Sequence, residues 1–179
     1  MTHTLALTMV LPPSSSIPHS LEPQQGQMAI QWDFPKVFSL PLQVGSEDID
    51  GLNHTNNAVY VQWCQHLAWA HSEALGLSVE DYQRLNRAMA IRHSEYDCMM
   101  ASYEGEALLL GTWLTKSEGI NMERRFQLVR ERDGQSILRG IWRLVCIEIS
   151  SGKPKRLPPE FVQTYGPIVV SVTDSTSGE

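Results

Sequence analysis

The order of apolar and polar residues predicts an edge strand near the start of the chain. In residues 36–44, Phe38, Leu40 and Leu42 recur at every second position, as they do on one face of a half-buried strand. Pro41 lies within this segment. Because proline has no N–H to donate to a neighbouring strand, we predict that this strand lies at the edge of a sheet.

A long amphipathic helix is predicted next, over roughly Asn57 to Leu75. Its apolar residues recur at three- and four-residue steps and form one broad face. They are Tyr60, Trp63, Leu67, His71 and Ala74, with Val59, Cys64 and Ala70 beside them. Thr55 or Asn56 fits the N-cap, and Gly76 fits the position just beyond the end. A short second helix is predicted over residues 77–85.

Four strand candidates follow, separated by linkers that contain glycine. They cover roughly residues 88–101, 107–116, 121–132 and 136–149. The Asp133-Gly134 pair is a strong hairpin signal, so we predict that the four strands form an antiparallel meander. With the first strand they give an α+β domain, a five-stranded antiparallel sheet wrapped around one long central helix. Such a sheet leaves one face uncovered, so a homodimer or homotetramer is expected.

Composition narrows the class of protein. The chain has 179 residues and a formal net charge of −6, which argues against a nucleic-acid partner because phosphate binding needs a basic face. Three scattered cysteines fit a reducing cytoplasm, and no apolar run approaches the ~20 residues of a membrane span. No metal site is expected. We predict a disordered leader over residues 1–27, a domain over 28–165 and a frayed tail over 166–179.

The loop between the first strand and the helix carries the candidate chemistry. Asp48 and Asp50 precede the helix start, where backbone N–H groups lack partners within the helix. A carboxylate there suits hydrolysis, because the helix end can bind a developing oxyanion while the acid attacks the substrate or activates water. The same residue types also suit turns and caps, so from the residues alone both roles remain open for Asp50.

Residues 48–60, Asp-Ile-Asp-Gly-Leu-Asn-His-Thr-Asn-Asn-Ala-Val-Tyr, resemble the corresponding loop of the hot-dog fold acyl-CoA thioesterases, in particular the 4-hydroxybenzoyl-CoA thioesterase-like group. That family often shows Asp-x-Asp, then Gly-His-Val-Asn-Asn and an aromatic residue. Asn53 stands where glycine is usual, but asparagine tolerates a left-handed backbone, and Thr55 replaces the common valine. Residues 151–158 are similar to the family's closing Thr-Gly-x-Pro-x-x-Leu-Pro pattern. The resemblance covers about residues 34–160.

The resemblance implies that the chain hydrolyses an acyl-CoA thioester to a free acid and coenzyme A, with no cofactor beyond the coenzyme A of the substrate. It makes Asp50 the catalytic acid, as nucleophile or general base, because no acid precedes Glu73 on the helix. The N–H of Asn57, with that of Ala58 as a second donor, would bind the oxyanion.

Further residues receive supporting roles from the same resemblance. Asp48, His54 and Asn56 would support the loop, His54 as a base or a structural hydrogen-bonding residue and Asn56 as a cap. Tyr60 and Trp63 would belong to the core or line the substrate pocket. Basic residues on the strands could meet the phosphates of coenzyme A. They are Lys116, Arg124 and Arg125, with Arg139 and Arg143 as further candidates.

Other functions remain open. A hot-dog hydratase or dehydratase would need a loop resembling Asp-x-Asn-Pro-x-His-x-Asp, and residues 48–60 lack that spacing. A non-catalytic acyl-binding or assembly module would bind thioesters and be indifferent to loss of Asp50. A carrier-protein thioester could replace the CoA thioester. The identity of the acyl group is not encoded in any pattern of the chain.

Overall fold

The structure is a computed structural model that describes residues 30–174, so the predicted leader lies outside the described part. Its strands are β1 (Phe38–Gln43), β2 (Arg87–Cys98), β3 (Ala107–Glu118), β4 (Asn121–Arg130) and β5 (Ser136–Glu148). Its helices are α1 (Asn57–Ala74), α2 (Val79–Arg84) and α3 (Pro159–Tyr165), with short 3₁₀ turns at Ser46–Asp48, Gly166–Ile168 and Val172–Asp174. The predicted helices and all five strands are therefore present.

The five strands form one antiparallel sheet in the order β1-β3-β4-β5-β2. β1 is an edge strand, as Pro41 predicts, and β5 lies between β4 and β2. The predicted four-strand meander is wrong for β2, which pairs with β5 and not with β3. The connection from β2 to β3 instead forms backbone hydrogen bonds with Val44 and Thr55, which lie on either side of the candidate catalytic loop. This carries β3 to the other side of the sheet, where it pairs with the edge strand β1.

The core lies between α1 and one face of the sheet. Buried residues of α1 include Tyr60, Cys64, Leu67 and His71. They meet buried residues of β3, β4 and β5, among them Leu108, Leu110, Leu128, Leu138, Trp142 and Leu144. Asn56 is the N-cap of α1, and Gly76 has a φ of +85° just beyond its end. Both helix boundaries are therefore those that local sequence signals predict.

The opposite face of the sheet is partly covered by both ends of the described chain. Phe34 and Val170 are buried against Trp113 of β3. The tail predicted to fray from residue 166 is held through Val170, whose N–H donates to the Leu114 carbonyl at 2.9 Å. β1 pairs with β3 only as far as Thr112, so the edge of β3 beyond that residue is free to bind this segment.

The described residues contain neither a membrane-spanning helix nor a cluster of metal-binding side chains. No helix within residues 30–174 is long and apolar enough to cross a membrane. In the same part of the chain no three His, Cys, Asp or Glu side chains lie together as a metal site would require.

Candidate active site

The start of α1 is anchored to the connection between β2 and β3. Thr55 is buried, its N–H donates to the Ser102 carbonyl at 2.8 Å, and its Oγ1 lies 2.6 Å from Ser102 Oγ. The Tyr60 hydroxyl lies 2.9 Å from the same Ser102 Oγ. Tyr60 is therefore a core residue that fixes the helix start, and half-buried Trp63 packs edge-on against it at 5.7 Å.

Asp50 lies in a tight turn that its side chain and its carbonyl both stabilise. Its Oδ1 accepts the Leu52 N–H at 2.8 Å, and its carbonyl accepts the Asn53 N–H at 3.0 Å. Asn53 has a φ of +70°, the left-handed conformation that asparagine tolerates better than most residues. Oδ2 lies 3.5 Å from His54 Nδ1, which is equally far from the Thr55 carbonyl. The Asp50 side chain is 25% exposed, so part of it reaches solvent.

Asp48 faces away from this chemistry and organises the loop. Its Oδ2 accepts the Gly45 N–H at 2.9 Å, and its carbonyl accepts the Asn56 N–H at 2.9 Å. These two bonds connect the end of β1 to the residue that caps α1. Asp48 therefore has the geometry of an orienting residue.

The helix start offers one free donor. Asn56 Oδ1 accepts the Ala58 N–H at 2.9 Å, so the second oxyanion donor suggested by the sequence is already occupied. The Asn57 N–H has no hydrogen-bond partner among residues 30–174. The Asn57 N–H is therefore the one backbone donor of the first turn that remains available. It lies at the N-terminus of α1, which is the positive end of the helix dipole.

The basic residues proposed for coenzyme A do not converge on one site. Lys116 is exposed and pairs with Glu118 at 2.8 Å. Arg125 lies on the outer face of the sheet and pairs with Glu123 at 3.1 Å. Arg124, its neighbour on β4, points into the core and is buried. Because consecutive residues of a strand face opposite sides, Arg124 and Arg125 do not lie on one face of the sheet, and contacts of these residues with coenzyme A stay a prediction.

A groove of about 600 Å³ on the outer face is lined by both acids and bases, including Asp33, Glu95, Asp97, Arg125 and Arg139. Arg139 already binds Asp33 through two bonds of 2.6 and 2.8 Å. Arg143, the remaining candidate, lies 3.6 Å from Glu123. With three carboxylates and paired arginines, this groove is a poor match for coenzyme A phosphates.

A second cavity, hereafter the inner cavity, lies between α1 and the sheet and has a volume of about 280 Å³. It is lined by Gln65, Ala68, Trp69, Ser72, Tyr82, Ala88, Met89, Ala90, Ile91, Met122, Arg124, Trp142 and Leu144. Tyr60 and Trp63, expected as possible pocket residues, are absent from this lining. At the start of β2, Ala88 and Ala90 contribute short side chains to this lining beside the larger Met89 and Ile91.

Arg124 belongs to a buried polar cluster at this cavity. Its Nη1 donates to His71 Nδ1 at 3.0 Å and to Thr112 Oγ1 at 3.3 Å. Burial and, secondarily, the Arg124 charge lower the pKa of His71 to about 4. Phe38 stacks on the His71 ring at 4.6 Å. His71, which the helix pattern placed on the apolar face, is therefore a neutral imidazole that accepts from a buried cation.

Solved structures define the class of fold. The chain is similar to Slr0204, a 1,4-dihydroxy-2-naphthoyl-CoA thioesterase from Synechocystis (TM-score 0.67, 19% identity, 73% of this chain and 96% of that one). It is also similar to protein SAV2348 from Staphylococcus aureus in complex with CoA (0.71, 15%, 85% and 91%). A 12:0-ACP thioesterase from Umbellularia californica matches as well (0.68, 15%, 75% and 51%). These likenesses confirm the α+β hot-dog fold.

The sequence comparison gives the family. The thioesterase-like superfamily profile matches residues 44–164, a range that includes the loop before α1, the inner cavity and four of the five strands. The chain belongs to the thioesterase-like superfamily. No curated protein gives a significant match to this sequence.

Proposed function

We propose that this protein is a thioesterase that hydrolyses an acyl-CoA to a free acid and coenzyme A. The observation that carries the proposal is that the loop before α1 holds a partly exposed carboxylate and the first turn of α1 holds an unpaired backbone donor. The Asp50 side chain is 25% exposed, and the Asn57 N–H lacks a partner among the described residues. Because the chain belongs to the thioesterase-like superfamily, we assign the Asp50 carboxylate and the Asn57 N–H to thioester hydrolysis.

In the proposed reaction the thioester carbonyl oxygen accepts the Asn57 N–H. Asp50 Oδ2 takes a proton from water while the water oxygen attacks the carbonyl carbon, and negative charge on the carbonyl oxygen is stabilised by the helix end. The C–S bond then breaks, the water oxygen remains in the acid, and the departing thiolate of coenzyme A takes up the proton. A thiolate is a good leaving group, so no strong general acid is required.

Asp50 can also act as the nucleophile. Oδ2 would then attack the carbonyl carbon and expel the thiolate, and water would hydrolyse the resulting mixed anhydride to regenerate the Asp50 carboxylate and release the acid. Both routes use the same two groups. In other hydrolases, removing one oxyanion-hole donor costs ~10²–10³ in rate, so the Asn57 N–H would supply a substantial share of the catalysis.

The CoA part of the proposal is supported by fold neighbours: the Staphylococcus aureus structure contains CoA, and the Synechocystis protein is a CoA thioesterase. The Umbellularia californica neighbour is an ACP thioesterase, so a carrier-protein thioester is the competing substrate.

The test is release of free thiol from a panel of aromatic and aliphatic acyl-CoAs, with acid formation followed by mass spectrometry. The proposal expects equal amounts of thiol and acid. Loss of an enoyl absorbance without thiol would instead identify a hydratase. Binding of acyl-CoA without any product would identify an acyl-binding module. Acid release from acyl carrier protein alone would contradict the CoA part of the proposal.

A further inference from the structure

Arg124 presents a buried positive charge to the inner cavity. Its side chain lies on the inward face of β4, the residue is 3% exposed, and it lines the cavity beside Ser72 and Tyr82. Within residues 30–174 no carboxylate forms an ion pair with it. A buried guanidinium without a counterion is costly, which makes the cavity a place where a bound anion would be strongly stabilised.

The known partners of Arg124 are neutral and leave much of the guanidinium free. A guanidinium only donates, so His71 Nδ1 must be an acceptor and the ring proton lies on Nε2. Thr112 Oγ1 donates to the Arg125 carbonyl at 2.9 Å and accepts from Arg124 at 3.3 Å. Both contacts use Nη1. Of the five N–H groups of an arginine, three therefore remain for a ligand.

The hydroxyl groups beside Arg124 supply no negative charge. The Tyr165 hydroxyl donates to Ser72 Oγ at 2.9 Å, and Ser72 Oγ donates to the Ala68 carbonyl at 3.1 Å. The Tyr82 hydroxyl, 2.6 Å from that of Tyr165, must then be the donor of that pair. Burial raises the pKa of Tyr82 well above its ordinary value, so the phenol stays neutral. All three hydroxyl protons are therefore used in these hydrogen bonds, and none of the three hydroxyl groups compensates the positive charge of Arg124.

We propose that Arg124 binds a carboxylate at the far end of the acyl group, so that the substrates are CoA thioesters of dicarboxylic acids. The free edge of the guanidinium matches the two oxygens of a carboxylate. Apolar walls from Met89, Trp142 and Leu144 suit the methylene chain.

The part of this inference that concerns thioesters rests on the proposed function. The geometry of α1 bears on the length of the acyl chain. Gln65 is the lining residue of α1 nearest to Asn57, and at ~1.5 Å per residue it lies about 12 Å along the helix from it. An acyl chain that spans both sites within one protomer must therefore be long. Dicarboxylic acyl groups of six, ten and sixteen carbons test this distance directly.

Binding of free acids tests the anion site independently of hydrolysis. Isothermal titration would compare hexanoate with hexanamide, which have the same chain and differ in charge, on wild type, Arg124→Met and the exposed control Arg132→Met. We expect hexanoate to bind wild type and the control at least tenfold more tightly than hexanamide, and Arg124→Met to lose this difference. Equal binding of the two ligands by wild type, or a preference that survives Arg124→Met, would overturn the inference.

Kinetics extend the test to the substrate. For each length, kcat/KM of the dicarboxylic monothioester is compared with that of the neutral acyl-CoA. We expect at least a tenfold preference for the dicarboxylic substrate of sixteen carbons in wild type, its reversal in Arg124→Met, and no preference at six carbons, a chain too short to span both sites. If Arg124 has only a structural role, Arg124→Met lowers kcat/KM for both substrates alike, and this result would count against the inference. Arg124→Lys, which keeps the charge in case the Met variant does not fold, should retain part of the preference. If hexanoate binds through Arg124 but no thioester is hydrolysed, the proposed function fails and the anion site stands.

Discussion

At the scale of single residues, the start of α1 depends on the Asn56 side chain. Asn56 Oδ1 accepts the Ala58 N–H at 2.9 Å, and loss of such a cap costs about 1 kcal/mol of stability. We predict that Asn56→Ala lowers the free energy of unfolding by about that amount in urea titrations. Asn56→Asp, which keeps an acceptor at the cap, should stay close to wild type. A fully stable Asn56→Ala would show that the cap contributes nothing.

The buried imidazole of His71 predicts a pH dependence of stability. Its pKa is about 4 in the folded protein against an ordinary value of 6.5, so the unfolded chain binds more protons between these values. Stability is therefore complete above about pH 6.5 and falls as the pH drops towards 4, by about 3 kcal/mol at most. The groups that face the ring are Phe38 and Arg124.

His71→Gln keeps a neutral acceptor for Arg124 and removes the titration. We expect its free energy of unfolding to change less than that of wild type between pH 7 and pH 4, as measured by urea titration at each pH. His66→Gln, at an exposed position of the same helix, is the control and should follow the wild-type curve. A His71→Gln curve parallel to wild type would refute this origin of the pH dependence.

Residue roles were predictable where the signal is local. The left-handed backbone of Asn53 and the cap at Asn56 both follow from short-range turn and cap chemistry. The position of Arg124 did not, because the face on which a strand residue lies depends on the register of the whole sheet. The sequence alone leaves Arg124 and Arg125 equivalent, whereas one is buried under α1 and the other lies on the outer face.

At the scale of elements, the attachment of α1 to the connection after β2 holds the candidate site in place. The Tyr60 hydroxyl contacts both the backbone N–H and the side chain of Ser102. Removing it leaves buried polar groups unpaired, which costs about 1–3 kcal/mol. We predict that Tyr60→Phe is destabilised by this amount in urea titrations. Tyr103→Phe, on the same connection but 51% exposed, should be neutral, and equal effects of the two changes would refute the anchor.

The strand order shows why element positions are easier to predict than their pairing. Periodicity and glycine linkers located all five strands, but the sequence does not record that residues 99–106 bond to Val44 and Thr55. Those long-range bonds move β3 away from β2. Consecutive strands are neighbours in most sheets, and that rule correctly joined β3, β4 and β5 while it failed for β2.

At the scale of the whole molecule, β2 is a twelve-residue edge strand with a largely exposed second half. Its Ile91 is 48% exposed. Long open edges favour pairing with another chain, so the predicted homodimer would form here, in contrast to β1, where Pro41 disfavours pairing. We predict a dimer by light scattering and a monomer for Ile91→Glu. Val162→Glu, at an apolar residue of α3 that is 50% exposed, should remain dimeric. A monomeric wild type would contradict this prediction.

The most direct test of the central claim is the effect of Asp50→Asn on the release of coenzyme A from bound acyl-CoA. This change keeps the shape of the side chain and its bond to the Leu52 N–H while it removes the charge. The account predicts that the variant binds acyl-CoA as wild type does and loses at least 10²-fold in kcat, a loss typical of removing a general base. Asp48→Asn should retain most of the activity. An Asp50→Asn enzyme that turns over within a few-fold of wild type would contradict the account.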